Sequence, residues 1–228
     1  MTFDLHVLAS NWQSFALGLG GTLLICALAL PVGFATGICL AVAASRYGRV
    51  IRGTIRAYVE VIRNVPFLVQ VFLLYFALPA VGIKLDPPTA GIIALIMYAA
   101  AYFAEIVRGA IEAIPAGQTE AAAALGLTFQ QSFQWVLLPQ SLGYLLPAGT
   151  NLAITLVKES AILSVITVRE LTFMSQDVIG RTFAPAEVFT LLALLYWLLT
   201  KLLTMATGRL ERMLWTQRSL ATHLQRLE

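Results

Sequence analysis

The sequence predicts an all-α integral membrane protein, and three observations carry that prediction. Of 228 residues, 59% are hydrophobic and only 12% charged, whereas soluble domains carry about 25% charged residues. Mean hydropathy is +0.81. Residues 5–45, 64–83, 87–104 and 121–157 contain no Asp, Glu, Lys or Arg, and a helix needs roughly 20 apolar residues to cross the hydrocarbon of a bilayer. So few charges cannot cover a water-facing surface of this size. A soluble enzyme, a disordered regulator and a disulfide-stapled secreted domain are excluded. The alternating ten-residue segments of a β-barrel are absent. Cys26 and Cys39 share one apolar run and imply neither a disulfide nor a metal framework.

Five spans are expected, at about 14–44, 61–81, 88–111, 146–167 and 187–208. Met1–Trp12 contains Asp4 and no Lys or Arg, so no cleavable leader is expected. In helix one, Pro31 favours a bend and Gly33-x-x-x-Gly37 offers a small-residue packing face. Helix two carries Pro66 in its first turn, where proline is tolerated or, alternatively, opens a kink beside the pathway. Helix five is apolar apart from Lys201, which can snorkel to a membrane face. The tail 209–228 mixes leucines with charges and reads as an amphipathic helix on the membrane surface. Arg46, Arg49, Arg52, Arg56 and Arg63 lie between the first two spans, Arg108 follows the third, and further basic residues follow the fifth. Lys84, Arg169 and Arg181 fall on the opposite side. This asymmetry predicts an outside N-terminus and a cytoplasmic C-terminus. It also accounts for a pI near 9.0 without a nucleic-acid partner.

The connection between helices three and four is unlike a simple loop. Pro115 and Gly117 interrupt the third helix. Gln118–Leu125 is a run of helix formers with Glu120 expected in its first turn, and Gly126 is placed as a C-terminal stop. Thr128 and Gln131 form a T-x-x-Q capping box, predicting a second short helix through Phe133, Trp135 and Val136 that ends before Pro139. Such a protrusion suits a groove on a soluble partner; an interfacial helix lying on lipid is the alternative.

Spacing separates the two readings. Glu120-Ala121-Ala122 is followed after three residues by Gly126, and after nine more by Val136-Leu137-Leu138-Pro139. This resembles the EAA loop of ABC importer permeases, with Val136 in place of isoleucine. Arg63-Asn64-Val65-Pro66-Phe67-Leu68-Val69-Gln70 resembles the entry to the second helix in the polar amino acid branch of that family, with Asn64-Val65 replacing its Gly-Thr. Ala101–Gly109, Gly117-Gln118 and Lys158-Glu159-Ser160 also match positions of that branch, Ala161 being a departure. The resemblance spans about residues 14–215 of a chain read as one transmembrane domain, 1–228.

The resemblance implies a multi-pass permease of the bacterial cytoplasmic membrane. It implies pairing with a second permease chain, identical or paralogous, and delivery of substrate by an extracytoplasmic binding protein. ABC ATPase subunits would receive a coupling helix formed by Gln118–Gly126. Gly117, Gln118, Glu120, Ala121, Ala122, Gly126, Leu138 and Pro139 are the implied coupling residues. No cofactor is expected in the chain itself. The lysines Lys84, Lys158 and Lys201 are followed by Leu85, Glu159 and Leu202, so no Walker A motif is present, and ATP with its Mg would be bound by the partner. No Ser-His-Asp or HExxH pattern points to catalysis, and His6 and His223 form no metal-ligand spacing.

Candidates for the substrate pathway are Pro66, Gln70, Glu105, Arg108, Asn151, Lys158, Glu159 and Ser160. Lys158 and Glu159 are read near the middle of helix four, where ionisable groups face a cavity or a partner. As neighbours about 100° apart they cannot pair well with each other. Glu105 and Arg108 are spaced for an intrahelical ion pair, and Gln70 and Asn151 for interhelical glue. The alternatives are a permease for another small polar solute, a membrane protein that recruits a cytoplasmic partner without transport, and a standalone channel or secondary transporter. The last is disfavoured by the lack of an internal repeat.

Overall fold

The computed structural model describes residues 3–224, with side chains described except at 129 and at 210–224. All regular structure among the described residues is helical. A short α1 (Leu5–Ser10) precedes α2 (Trp12–Arg46). At 1.5 Å per residue α2 is about 52 Å long, more than a bilayer core requires. The helix remains continuous through Pro31.

The glycines of α2 set its packing. A Cβ on Gly33 would stand 2.5 Å from the Ala99 Cβ, and one on Gly37 would stand 2.9 Å from the Ala100 carbonyl oxygen. Both face α5 (Pro87–Glu112), and Phe34 stacks on Phe103 of α5 at 4.2 Å between ring centres. The Gly33-x-x-x-Gly37 face is therefore the seam between α2 and α5, where small residues let two backbones approach. α5 supplies the floor of the core through Ala90, Ala94, Leu95, Ala99 and Ala101, all essentially inaccessible.

Helix two departs from the expected continuous span 61–81. It divides into α3 (Arg49–Asn64) and α4 (Phe67–Phe72), the latter continued by a π-turn (Leu73–Ala77) and a 3-10 turn (Leu78–Val81). The chain bends by 109° between the two arms. The cause is local: proline disfavours the α conformation at the residue before it. Val65 accordingly lies at φ −92°, ψ 130°, and Pro66 caps α4 instead of sitting in a first turn.

Helix four also differs. α7 (Phe129–Ser132), a π-turn (Phe133–Leu137) and α8 (Leu138–Glu159) run together, followed by 3-10 turns over Ser160–Ile166. The helix opened by Thr128 does not end before Pro139. Its π-turn, closed by Leu138 N–H donating to the Phe133 carbonyl, widens the ladder just where a proline ring would crowd an α turn. The candidate spans are thus Trp12–Arg46, Pro87–Glu112, Gln130–Ile166 and Pro185–Arg209, with the bent α3–α4 pair as a fifth.

A further helix, α9 (Leu171–Thr182), fills the stretch before α10 (Pro185–Leu224). It lies against the N-terminal part of α2, where a Cβ on Gly18 would meet the Leu171 backbone and one on Gly21 the carbonyl of Arg169, just before α9. The tail anticipated as a separate helix is continuous with α10 to Leu224, and its side chains lie outside the described residues.

Candidate functional site

The connection after α5 forms α6 (Ala116–Ala124). Pro115 caps it, so the helix starts two residues earlier than expected and Glu120 sits in its second turn rather than its first. The end is closed by a Schellman arrangement: Gly126 N–H donates to the Ala123 carbonyl at 2.9 Å and Leu127 N–H to the Ala122 carbonyl at 3.1 Å. Gly126 is at φ +74°, the left-handed region in which glycine has no Cβ penalty. The capping box is reciprocal. Thr128 N–H donates to Gln131 Oε1 at 2.9 Å, and Gln131 N–H donates to Thr128 Oγ1 at 3.3 Å.

α6 shows most of its surface. Gly117, Gln118, Glu120 and Ala121 are exposed, and only Ala122 is buried. Leu125 is 80% exposed and Trp135 75%. The helix is tied to α8 by Gln140 Nε2, which donates to Gln118 Oε1 at 3.1 Å. Leu138 and Pro139 open α8 beside this bond. The coupling candidates therefore form one connected structure: a short helix closed at its C-terminal end, attached to the base of a long one.

The pathway candidates do not gather into a single site. Gln70 is buried, and its Nε2 donates to the carbonyls of Ile62 and Val65 at 2.8 Å each. It thereby satisfies carbonyls freed at the end of α3 by the Pro66 bend. Glu105 accepts from Arg108 Nε at 3.0 Å and lies 3.4 Å from Arg63 of α3. Arg108 also pairs with Glu112 at 2.6 Å, and Arg63 lies over the Tyr102 ring at 5.5 Å. These groups form an ion network at the α6 end of α5. Asn151 is exposed on α8.

Lys158, Glu159 and Ser160 lie where α8 gives way to 3-10 turns, not in the middle of a helix. Lys158 is exposed, Glu159 is half-buried within electrostatic reach of Tyr98, and Ser160 is buried with its Oγ donating to the Val157 carbonyl at 2.8 Å. No ion pair joins Lys158 to Glu159 among the described residues. From Leu138 to Lys158 the helix rises about 30 Å, so these charges stand at the opposite end of α8 from α6.

Comparison with known proteins decides the family. Residues 29–216 match the family described as the inner membrane component of binding-protein-dependent transport systems. The chain belongs to this family. Among its relatives is a probable glutamine ABC transporter permease of Bacillus subtilis (strain 168), 34% identical over 92% of this chain and 98% of that one. The glutamine transport system permease of Escherichia coli (strain K12) is 35% identical over 93% and 98%. Among solved structures, an amino acid ABC transporter crystallised with histidines aligns at TM-score 0.88 with 34% identity, covering 93% of this chain and 100% of that one. An inward-facing methionine ABC transporter aligns at TM-score 0.69 with 27% identity, covering 94% and 99%. This permease is thus a transport component of the bacterial inner membrane, from a family whose members work with ATPase subunits and a partner permease.

Sequence reasoning missed a second polar centre of the permease. Glu170 is fully inaccessible. Thr172 N–H donates to its Oε2 at 2.8 Å and Phe173 N–H to its Oε1 at 2.6 Å, capping α9. Tyr196 Oη of α10 donates to Oε2 at 3.0 Å, and Leu171 N–H donates to Thr22 Oγ1 of α2 at 3.1 Å. Burial pushes the Glu170 carboxyl above the usual carboxylate range, and the bonds from Thr172, Phe173 and Tyr196 pull it partly back. The signal was a lone Glu placed just before Leu171-Thr172-Phe173, an N-cap pattern in the stretch between the last two expected spans.

Proposed function

We propose that this chain is the membrane-spanning subunit of an ATP-driven importer of polar amino acids, with α6 as the helix that docks into partner ATPase subunits. The observation that carries the reading is the attachment of an exposed, closed α6 to the base of α8. α6 has a closed C-terminal turn and an alanine body, and the Gln118–Gln140 bond joins it to the base of α8. A flexible loop would absorb a partner's motion, whereas a stiff helix passes it on. A displacement of α6 would move α8 and, about 30 Å away, the Lys158–Ser160 turn. Relatives named as glutamine and amino acid permeases support the substrate class.

In this reading ATP and Mg belong to the partner ATPase, because Lys84, Lys158 and Lys201 lie in no phosphate-binding glycine loop. The energy then acts by biasing an equilibrium between inward- and outward-open arrangements. The basic clusters support a cytoplasmic α6 and an outside α9. A second permease chain completes the pathway, and a binding protein delivers substrate to the α9 side. The test is reconstitution with cognate ATPase and binding protein, followed by ATP-dependent uptake of acidic, basic and neutral amino acids. Uptake of at least one class is expected. Its absence, with a correctly inserted and assembled complex, would contradict the proposal.

A further inference from the structure

Between the α6 ends of α2 and α5 and the face of α3 lies a cavity of about 790 Å³. Its charged lining is uneven. Glu105, Arg108, Glu112 and Arg63 are joined in the network described above. Arg52 and Arg56 have no acidic partner among the described residues. Arg52 is nevertheless held in place, because its Nε donates to the Ala44 carbonyl of α2 at 2.9 Å. That bond leaves both terminal guanidinium nitrogens free to bind an anion. Arg56, one turn further along α3, lines the same cavity, and so does Glu60, one turn beyond it and without an ion pair among the described residues.

Beside these charges the α2 side of the cavity is apolar. Ala41 and Ala44 line it, with Ile55 of α3. One turn earlier on α2, Ile38 is exposed; Val50 and Val61 are exposed on the face of α3 turned away from Arg52 and Arg56. α3 is thus a basic amphipathic helix with a 109° bend between it and the arm that follows, the form of a helix that rests at a membrane surface. Two free guanidinium groups beside an apolar outlet, at the level where the spans end, match a phosphodiester carrying acyl chains. A small soluble anion would need the charges but not the apolar outlet.

We propose that this cavity binds the phosphate of a cytoplasmic-leaflet phospholipid, held by Arg52 and Arg56, with the acyl chains along α2 near Ile38. The proposal rests on the cytoplasmic placement of α6 argued above. Its role is to fix α3 to the bilayer, so that the Pro66 bend has an anchored arm. Near an anionic surface each basic residue contributes about a factor of five to binding. Losing both arginines is therefore expected to weaken lipid retention roughly thirty-fold.

The experiment uses the full chain purified with its partner ATPase. Native mass spectrometry would be run on wild type and R52Q/R56Q, in detergent supplemented with phosphatidylglycerol or phosphatidylethanolamine, and separately with glycerol 3-phosphate. Retention of either lipid by wild type, its loss in the double variant and no retention of glycerol 3-phosphate are expected. Equal lipid retention by both proteins overturns the site. So does retention of glycerol 3-phosphate in place of lipid. R52K/R56K should retain lipid at an intermediate level, because the charge remains without the planar fork; loss as complete as in the glutamine variant counts against a charge-based site. Labelling of an introduced R49C by a membrane-impermeant thiol reagent in cells checks the side independently. Labelling from outside overturns the placement, whatever the lipid result.

Discussion

Replacing Glu170 tests the buried centre that joins α2, α9 and α10. Glu170→Ala leaves the N–H groups of Thr172 and Phe173 and the Tyr196 hydroxyl without their acceptor. Loss of an N-cap costs about 1 kcal/mol, and each buried donor left unsatisfied costs about 1–3 kcal/mol. Removing a desolvated carboxylate returns part of that sum, so a net loss of roughly 2–4 kcal/mol is expected. For a chain of this size that corresponds to about 5–15 °C in melting temperature. Glu170→Gln keeps one acceptor oxygen and should lose about half as much. The pH dependence has a defined sign. The folded carboxyl is held above its unfolded value of about 4.3, so folding favours the protonated form. Wild-type stability therefore falls as pH rises from that value through the raised one, whereas the glutamine variant has no such dependence. Thermal unfolding in detergent, followed from pH 8 down to pH 5, should show wild type gaining on Glu170→Gln as pH falls. An Ala variant that melts with wild type, or a wild-type advantage that shrinks on acidification, refutes the reasoning.

Other perturbations address the remaining parts. Gly126→Ala forces a Cβ into a left-handed turn, at about 1–2 kcal/mol, and should raise ATP hydrolysis per substrate imported while membrane insertion stays normal. Gly33→Val drives atoms into Ala99 of α5; overpacking of this kind costs about 1–3 kcal/mol and should lower the melting temperature and the yield of detergent-stable protein. Gln70→Leu removes the cap at the α3–α4 bend, and vesicle uptake should fall several-fold with little change in the amount of inserted protein. Lys158→Met and Glu159→Gln should change uptake rate or selectivity among amino acids of different charge; unaltered kinetics would make them packing residues.

Much of this permease is legible in its residues. The apolar runs announce the spans, and the turn chemistry of 115–131 announces the stop of α6 and the capping box, though not the start of α6 at Ala116. What the sequence hides is context. Pro66 reads equally as a first-turn residue or a break; the break is accompanied by Gln70, whose amide reaches back to cap α3. Pro139 reads as a terminator, yet a π-turn lets the helix run on. Lys158 looked central because the start of helix four was placed too late. Glu170 escaped notice because a buried carboxylate is defined by partners distant in sequence, here Tyr196 and, through Leu171, Thr22. Among the pathway candidates, Glu105 and Arg108 were recognisable as an ion pair from their spacing, whereas the contribution of Arg63 depends on the fold of α3 back onto α5.

The central claim is that α6 receives force from a partner motor. Site-directed cross-linking measures this most directly. A cysteine introduced at the exposed Ala121 would be paired with cysteines in the surface cleft of the cognate ATPase, in membranes with and without ATP. The account predicts a cross-link whose yield changes with nucleotide. It is contradicted if Ala121→Cys reacts only with an impermeant reagent added outside the cell and never with the ATPase.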